Sequence, residues 1–356
     1  MKNEHKLVLG LGEFLLPDKQ VLAPLIHFSD MTYVTGCLIN HRMLAQAYYV
    51  LRQCELLGTV NREIRDTLKM AYDVGVEKAE STNRLLQILK KEFSVIDFPY
   101  ALVKGAYLSQ LYPAGLRSAQ DIDILMSAQH LTEMSAALKA LGFQQGYIRN
   151  AQFQPAERNA VIASRMNRGE TVPFIKRVSL PHLEFCEIDL NFSLDYKPSS
   201  SNALKMMLST TRPLIQQSIQ TLAPVDFMIH LCAHLYKEAT IMAWVEMGRD
   251  LSLYKFVDLY FLMHTWFEPK FVAELRDRIY ALFMILPCYF ALYFTKQLFH
   301  IHNENLDWLL DSICPKDTAY LHQVTDPSTG EKYIYKTSIL QRLFSENRLC
   351  LLHKAI

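Results

Sequence analysis

The first part of the chain alternates apolar and polar residues with the period of a helix. Over residues 38–93, apolar side chains recur every three or four positions, as in MLAQAYYVLRQCELL and STNRLLQILKKEF. This spacing places them along one face of a helix. Ser81 or Thr82 is the expected N-cap of the second helix, because a short hydroxyl side chain accepts hydrogen bonds from free amides there. The pattern predicts an N-terminal helical region over residues 1–96.

After this region, short strands alternate with short helices. VIDFPYALVKG reads as a strand that ends at Gly105, AYLSQLY as a helical fragment and DIDILM as a second strand. HLTEMSAALKALGF is amphipathic, with Gly142 just past its end, and HLEFCEIDLNFSL alternates with the period of a strand. The order predicts an α/β core over residues 97–197, in which residues 144–180 are expected to be irregular.

The rest of the chain reads as helix after the linker-like run DYKPSSSNA. It is expected to form a C-terminal helical domain over residues 198–356, with a small hairpin at TDPSTGEKYIY. The fold class predicted from the whole pattern is α+β. A small mixed β-sheet core would be flanked by the N-terminal helices and the C-terminal helical domain.

One uncharged run, Ile279–Thr295, is a candidate membrane span. A span needs about twenty apolar residues, and Pro287 interrupts this run near its middle. We therefore expect a buried helix and no membrane association. The apolar N-terminal run is interrupted by Glu13 and Pro17, which disfavours a signal peptide.

Composition narrows the class of protein. Only 12 of the 356 residues are Gly, which disfavours an all-β fold. The formal net charge of +1 gives no general field for a nucleic acid or a membrane surface. The seven Cys are widely spaced and form no CxxC pair, which favours a reducing compartment, so a cytoplasmic location is expected.

Two acidic residues interrupt the apolar strand DIDILM. Asp121 and Asp123 are two positions apart, so on a strand both carboxylates point to one face, where they would repel each other. A divalent cation removes the conflict, and Mg²⁺ prefers one or two carboxylates with phosphate oxygens and water. Asp189 is the expected third carboxylate, and Glu187 shares its face. A solvated strand edge is the alternative that this pattern leaves open.

Basic residues surround this acidic strand. Gly105 lies where a strand meets a helix, a place at which free amides bind phosphate, and Lys104 and Arg117 add positive charge. The segment from Arg149 to Arg177 carries six basic residues, Lys176 among them, against only two Glu. It could contact a triphosphate or an anionic acceptor, or it could be a solvated loop.

One helix face carries Asp226, His230 and His234 at successive four-residue intervals. The spacing suits a metal site, but it lacks the glutamate of HExxH. Hydrogen-bonded packing is therefore the preferred interpretation.

The run LVKGAYLSQLYPAGLRSAQDIDILM resembles the signature of the polymerase-β-like nucleotidyltransferase superfamily. More narrowly, it is similar to uncharacterised bacterial nucleotidyltransferases that carry Lys-Gly, a helix, Arg and then Asp-x-Asp. EIDLNFSL resembles their third-carboxylate strand, and PVDFMIHLCAHLYKEA the helix that follows it. Two departures stand out. Gly105 is followed by Ala106 where the superfamily has Ser, and Asn191 replaces a His of relatives.

The resemblance implies a metal-dependent enzyme that moves an NMP group from an NTP, with ATP expected, to an acceptor hydroxyl and releases pyrophosphate. Asp121, Asp123 and Asp189 would hold Mg²⁺ or Mn²⁺ and carry the catalysis. The nucleotide would be bound by Lys104, Gly105, Ala106 and Arg117. Further candidate site residues are Glu187, His234, Lys176 and Arg177.

Two alternatives stay open. One is a non-catalytic nucleotide- or partner-binding member of the fold, and the other is a phosphotransferase that uses the same site. For the acceptor, the low net charge favours a polypeptide or a small molecule over RNA, because a long polyanion needs many basic contacts.

Overall fold

The computed structural model describes residues 1–94, 96–119, 121–199, 202–214 and 219–355. The helices of these residues are α1 (Asn3–Gly10), α2 (Lys19–His27), α3 (Met31–Asn40), α4 (Leu44–Gln53), α5 (Arg62–Phe93), α6 (Gly105–Leu111), α7 (Leu131–Ala140), α8 (Arg158–Asn167), α9 (Asn202–Leu208), α10 (Pro224–Thr240), α11 (Met242–Glu246), α12 (Leu253–Trp266), α13 (Pro269–Ala281), α14 (Ile285–Phe299), α15 (Glu304–Ser312) and α16 (Ile339–Leu343). The strands are β1 (Tyr100–Val103), β2 (Ile122–Met126), β3 (Gln144–Arg149), β4 (Gln152–Pro155), β5 (Phe174–Leu180), β6 (Leu183–Asn191), β7 (Arg212–Pro213), β8 (Gln220–Thr221), β9 (Gln323–Thr325), β10 (Lys332–Tyr335) and β11 (Leu352–Lys354).

The strands form two sheets. The larger has eight strands in the order β4-β3-β5-β6-β2-β1-β8-β7, and the smaller has the order β11-β10-β9. In the larger sheet, β2 pairs in parallel with β6 and β1 with β8, while the other pairs are antiparallel. The sheet is therefore mixed, and the predicted α+β class is confirmed.

Residues divide by their contacts into two compact units. A helical unit contains Met1–Tyr72 and Met228–Ile356, and a sheet unit contains Asp73–Phe227. The domain boundaries predicted from the sequence, at 96/97 and 197/198, stay a prediction.

The sheet unit buries one face of its large sheet in an apolar core. The alternate residues Ile122 and Ile124 of β2 and Ile188 and Leu190 of β6 all belong to this core and are at most 3% exposed. The period of two sends the intervening side chains, including Asp123 and Asp189, to the opposite face. Because one face of the sheet packs in the core, the carboxylates lie on the opposite face.

The expectation of an irregular segment over residues 144–180 was wrong, because β3, β4, α8 and β5 occupy most of it. Helix α8 has no buried residue, and β3 and β4 are mostly exposed. Such elements lie at the margin of the fold. They need no regular apolar pattern, which is why the sequence gives no period there.

The predicted helix caps were also wrong, because α5 is one helix of 32 residues. Within it, the Ser81 hydroxyl donates to the carbonyl of Pro181 at 2.8 Å, and that of Thr82 to Lys78 at 2.9 Å. The Ser81 contact ties α5 to the β5–β6 turn. A hydroxyl expected to begin a helix therefore joins two elements of the sheet unit.

The uncharged run Ile279–Thr295 is divided between α13 and α14, with Phe283 at a positive φ of 58° in the turn. The expected single buried helix was therefore wrong. Across the described residues, no helix is both long and apolar enough to cross a membrane. The predicted C-terminal hairpin is confirmed by the antiparallel pairing of β9 with β10.

Candidate active site

The centre of the candidate site is a pair of aspartates on neighbouring strands. Strands β2 and β6 run parallel, and their register places Asp123 opposite Asp189. Adjacent strands lie about 4.8 Å apart, and residues in register point to the same face. Glu187, two residues before Asp189, shares that face. Asp121 immediately precedes β2, which begins at Ile122.

Asp123 is the most enclosed of these carboxylates, at 3% exposure. Its Oδ1 atom accepts two hydrogen bonds, from the Lys104 ammonium at 2.7 Å and from the Asn191 amide at 3.0 Å. Charge-assisted hydrogen bonds of this kind are strong, and two donors fix the orientation of the carboxylate.

Lys104 reaches Asp123 from a strained turn between β1 and α6. Its backbone has φ 54° and ψ −126°, a conformation that favours glycine. A non-glycine residue held there costs about 1–3 kcal/mol, and such strain is concentrated at functional sites. The next residue, Gly105, approaches Ala119 so closely that a Cβ on it would lie 3.2 Å from the Ala119 Cβ. The turn is therefore tight, and it aims the lysine side chain along the sheet.

Negative charge exceeds positive charge at the site. Burial, and then repulsion by Asp123, raises the pKa of Asp121. Burial followed by the charges of Asp123, Asp121 and Glu187 raises the pKa of Asp189 well above its ordinary value. The pKa of Glu187 is also raised, first by burial and then by the charges of Asp121 and Asp123. One ammonium thus faces several carboxylates.

The same field acts on the lysine. Burial alone would lower the pKa of Lys104, but the attraction of Asp123, Asp121 and Asp189 outweighs burial and raises it. Lys104 is therefore firmly cationic. The remaining surplus of negative charge is what a bound cation would neutralise.

Arg117 and Ala106 lie near this turn with different orientations. The Arg117 guanidinium donates to the carbonyl of Ser118 at 3.0 Å, and its Nη1 lies 3.6 Å from where a Cβ on Gly105 would be. The charge of Arg117 also lowers the pKa of Asp121. Burial, Asp123 and Lys104 each have a larger effect on that pKa. Ala106 is fully buried in the apolar core. Its side chain therefore faces away from the carboxylates.

Comparison with known protein families gives one match. The model of a family described as uncharacterised nucleotidyltransferase matches residues 29–300, which is more than half of the chain. The chain belongs to this nucleotidyltransferase family. No curated protein and no solved structure matched it.

In this member of the nucleotidyltransferase family, three further candidate residues have other partners. His234 lies in the helical unit, where its Nε2 is 3.1 Å from Glu238. Arg177 pairs with Glu184 at 2.8 Å, and the Lys176 ammonium lies 5.7 Å from the centre of the Phe143 ring. These three contacts are with groups other than the carboxylates of β2 and β6.

Asn191 is a site residue whose role the sequence did not reveal. The sequence marks it as a departure from the His of relatives, and in the structure its amide binds Asp123 and also approaches the Asp189 carbonyl at 3.4 Å. The available signal was its spacing. It follows Asp189 by two residues on a strand, so both side chains share one face.

Among the residues that the structure describes, no three His, Cys, Asp or Glu side chains are grouped so as to hold a metal ion. The donor set still suits Mg²⁺, because this ion keeps several waters and takes one or two carboxylates together with substrate phosphates. Burial, and then repulsion among the carboxylates, raises the pKa values of Asp121 and Asp189, and a bound cation would offset both effects. The residues therefore fit a divalent ion that arrives with a nucleotide.

Proposed function

We propose that the protein is a metal-dependent nucleotidyltransferase, which moves an NMP group from an NTP, with ATP expected, to an acceptor hydroxyl. The observation that supports this most is the in-register pair Asp123 and Asp189 on a buried, negatively charged sheet face. A purely structural carboxylate is normally neutralised by its neighbours. Here Lys104 pairs with Asp123, and this one ammonium must also serve Asp121 and Asp189, so the site is suited to a cationic ligand.

In this proposal, Asp121, Asp123 and Asp189 would hold Mg²⁺ or Mn²⁺, with one or two of these carboxylates on an ion and substrate phosphates and water as its other ligands. The metal would neutralise charge on the phosphates and stabilise the charge that develops during transfer. Asn191 and Lys104 hold Asp123 in one orientation through its Oδ1 atom. Arg117, Lys104 and the backbone at Gly105 and Ala106 contact the triphosphate.

The reaction forms a bond between the acceptor oxygen and the α-phosphorus. The bond from that phosphorus to the bridging oxygen breaks, and its electron pair leaves with pyrophosphate. Asp189 takes the proton of the acceptor hydroxyl. A general base must lie within hydrogen-bond reach of the proton that it takes, and Asp189 is less enclosed than Asp123 on the same sheet face.

Labelled nucleotides test the proposal. The purified protein is incubated with Mg²⁺, an extract of the cells that produce it, and each NTP labelled at the α- or γ-phosphate. Transfer of the α-label with release of pyrophosphate is expected. Transfer of the γ-label identifies a phosphotransferase instead, and nucleotide binding without either transfer identifies a non-catalytic member.

Matched variants assign the residues. Asp123→Asn and Asp189→Asn should each lower the transfer rate by at least about 100-fold, the size typical for loss of one preorganised charged group. Asp195→Asn is the control, because Asp195 is an exposed carboxylate of the same unit. Equal rates for all three variants would reject the assignment of the site.

A further inference from the structure

The ammonium of Lys104 lies among the carboxylates of the candidate site. Its Nζ atom is 2.7 Å from Oδ1 of Asp123, and the charges of Asp121 and Asp189 also attract it. These are the three carboxylates proposed to hold a divalent ion. A side chain of the protein itself therefore neutralises part of the charge that such an ion would neutralise.

Two donors share the Oδ1 atom of Asp123, and they differ in charge. The Asn191 amide donates at 3.0 Å and is neutral, so it can stay beside Asp123 when a cation binds the carboxylate. The Lys104 ammonium donates at 2.7 Å and is positive. Because like charges repel most strongly at short range and away from water, this ammonium and a divalent ion oppose each other's binding at Asp123.

The two donors also differ in how firmly the fold holds them. Asn191 is the last residue of β6 and is 4% exposed. The Lys104 side chain is 20% exposed, compared with 5% for that of Asp123, and it carries a point charge at the end of a flexible four-carbon stem. The lysine is thus accessible from solvent, from which a nucleotide arrives. It can change partner while the asparagine keeps the carboxylate oriented.

The backbone of Lys104 need not move for such a change. The turn is fixed by the close packing of Gly105 on Ala119, where a Cβ on the glycine would lie 3.2 Å from the Ala119 Cβ. Rotation about the side-chain bonds of the lysine between staggered positions is enough to redirect its ammonium. The tight turn therefore supplies a fixed base for a side chain with two possible partners.

An ammonium that leaves Asp123 needs another anion, because a charge in a largely buried position is costly without a partner. The triphosphate of an NTP supplies several anionic oxygens, and a contact between Lys104 and the triphosphate is already part of the proposed function. Binding of the phosphates and release of Asp123 are then two sides of one movement.

We propose that Lys104 is an exchanging cation: its ammonium neutralises Asp123 before a nucleotide binds, and it passes to the triphosphate when one does. This inference rests on the proposed nucleotidyl transfer. The exchange frees Asp123 for a divalent ion only when phosphates are present to take the lysine. Lys104 thereby weakens the binding of a divalent ion that arrives alone, and it makes the binding of nucleotide and ion cooperative.

The first test uses Mn²⁺ alone, without a nucleotide, and follows its binding by EPR of the free ion. Lys104→Met removes a unit charge within a few ångströms of the ion and should tighten binding at least about tenfold. Lys104→Arg keeps the charge and should bind Mn²⁺ as weakly as the wild type. Lys139→Met is the matched control, because Lys139 is an exposed cation of α7 in the same unit.

The second test asks whether the ammonium passes to the phosphates. The α,β-methylene analogue of ATP is titrated calorimetrically in the presence of EDTA, so that no divalent ion takes part. Lys104→Met should weaken its binding about tenfold, because one charge–phosphate contact is lost. Asp123→Asn should strengthen it for two reasons: the ammonium no longer has to leave a carboxylate, and a charge that repels the phosphates is gone.

The two substitutions together separate these reasons. Loss of repulsion strengthens binding whether or not Lys104 is present, whereas release of the ammonium acts only through Lys104. Asp123→Asn should therefore strengthen binding at least about fivefold more in the wild-type background than in the Lys104→Met background, a coupling of the size found between residues in contact. Two-dimensional NMR spectra of each variant check that the fold is kept.

The possible outcomes are distinct. If Lys104→Met leaves Mn²⁺ binding unchanged, or if Asp123→Asn strengthens binding of the analogue equally in both backgrounds, Lys104 does not exchange partners and the inference is rejected. The proposed function survives that result if the wild type binds the analogue more tightly with Mg²⁺ than with EDTA. If Mg²⁺ does not tighten binding of the analogue, the metal-dependent function fails, and the inference fails with it.

Discussion

Two buried clusters of charge in this molecule are built in opposite ways. In the helical unit, Asp250 is fully buried between two arginines, which are also buried. Arg342 donates to its Oδ2 at 2.8 Å, and Arg348 to its Oδ1 at 2.6 Å. Arg348 also donates to the carbonyls of Arg342 and Leu343. We call this cluster the Asp250 hub.

The sheet unit has the reverse balance. Several carboxylates there share one ammonium, that of Lys104, and the pKa values of Asp121 and Asp189 are raised. In the Asp250 hub every charged group has a partner of opposite charge, whereas in the sheet unit one ammonium serves several carboxylates, which marks a candidate binding site. The difference teaches that burial of charge alone does not identify a site. What distinguishes the two clusters is whether each buried charge has a partner of the opposite sign.

The largest effect is expected when the Asp250 hub loses its carboxylate. Asp250→Ala leaves two buried guanidinium groups without their anion and should lower the free energy of unfolding by about 3–5 kcal/mol. Denaturant unfolding measures this, with Asp311→Ala, an exposed carboxylate of the same unit, as the control. A loss below about 1 kcal/mol would contradict this expectation, because the two guanidinium groups would then not be left buried without compensation.

The next effect is a dependence on pH next to the hub. Burial, and then the charge of Arg348, lowers the pKa of His41 from 6.5 to about 4. Between pH 6.5 and 4 the unfolded chain takes up a proton on His41 that the folded protein refuses. The contribution of His41 to the free energy of unfolding should therefore fall by about 3 kcal/mol as the pH falls through this range, and this contribution should not change above it.

The measurement is the free energy of unfolding at several pH values for the wild type and His41→Asn. The variant should lose this part of the slope, whatever its stability at pH 7. Parallel curves for the two proteins between pH 4 and 6.5 would contradict the assignment.

A smaller effect should reveal the strain at Lys104. Both Lys104→Ala and Lys104→Gly remove the ammonium, but only glycine relaxes the backbone at φ 54° and ψ −126°. Lys104→Gly should therefore be more stable than Lys104→Ala by about 1 kcal/mol. This difference is the backbone strain that glycine relieves, reduced by the extra conformational entropy that glycine loses on folding. Lys139 in α7 supplies the opposite control, because glycine is about 1 kcal/mol worse than alanine in a helix.

The smallest effect on stability is expected at the carboxylate pair. Asp189→Asn removes a repelling charge, so the free energy of unfolding at pH 7 should stay the same or rise by up to about 1 kcal/mol. Because the folded pKa of Asp189 is raised, wild-type stability falls as the pH rises above the ordinary carboxyl pKa, and the variant should lose this decline. A destabilisation above about 2 kcal/mol would make Asp189 a structural residue like Asp250.

The amino-acid sequence by itself determined the elements whose signals are local. The period of two placed Glu187 and Asp189 on one strand face, and the 3.6-residue period with Gly142 indicated α7 and its end. The sequence also identified two candidate parts of the site, the strand with Asp121 and Asp123 and the turn at Lys104 and Gly105. These features depend on neighbours along the chain, so the sequence contains them directly.

Only the tertiary structure decided which distant residues meet. Asp123 and Asp189 face each other because β2 and β6 pair in register, and Asp250 meets Arg342 from 92 residues away. The turn that aims Lys104 at Asp123 requires an unfavourable φ, which local propensity argues against. The β3–β4 hairpin is mostly exposed, so it has no apolar period by which the sequence could indicate it. Long-range pairing and strain are stabilised by burial over the whole fold, and no short stretch of sequence records that sum.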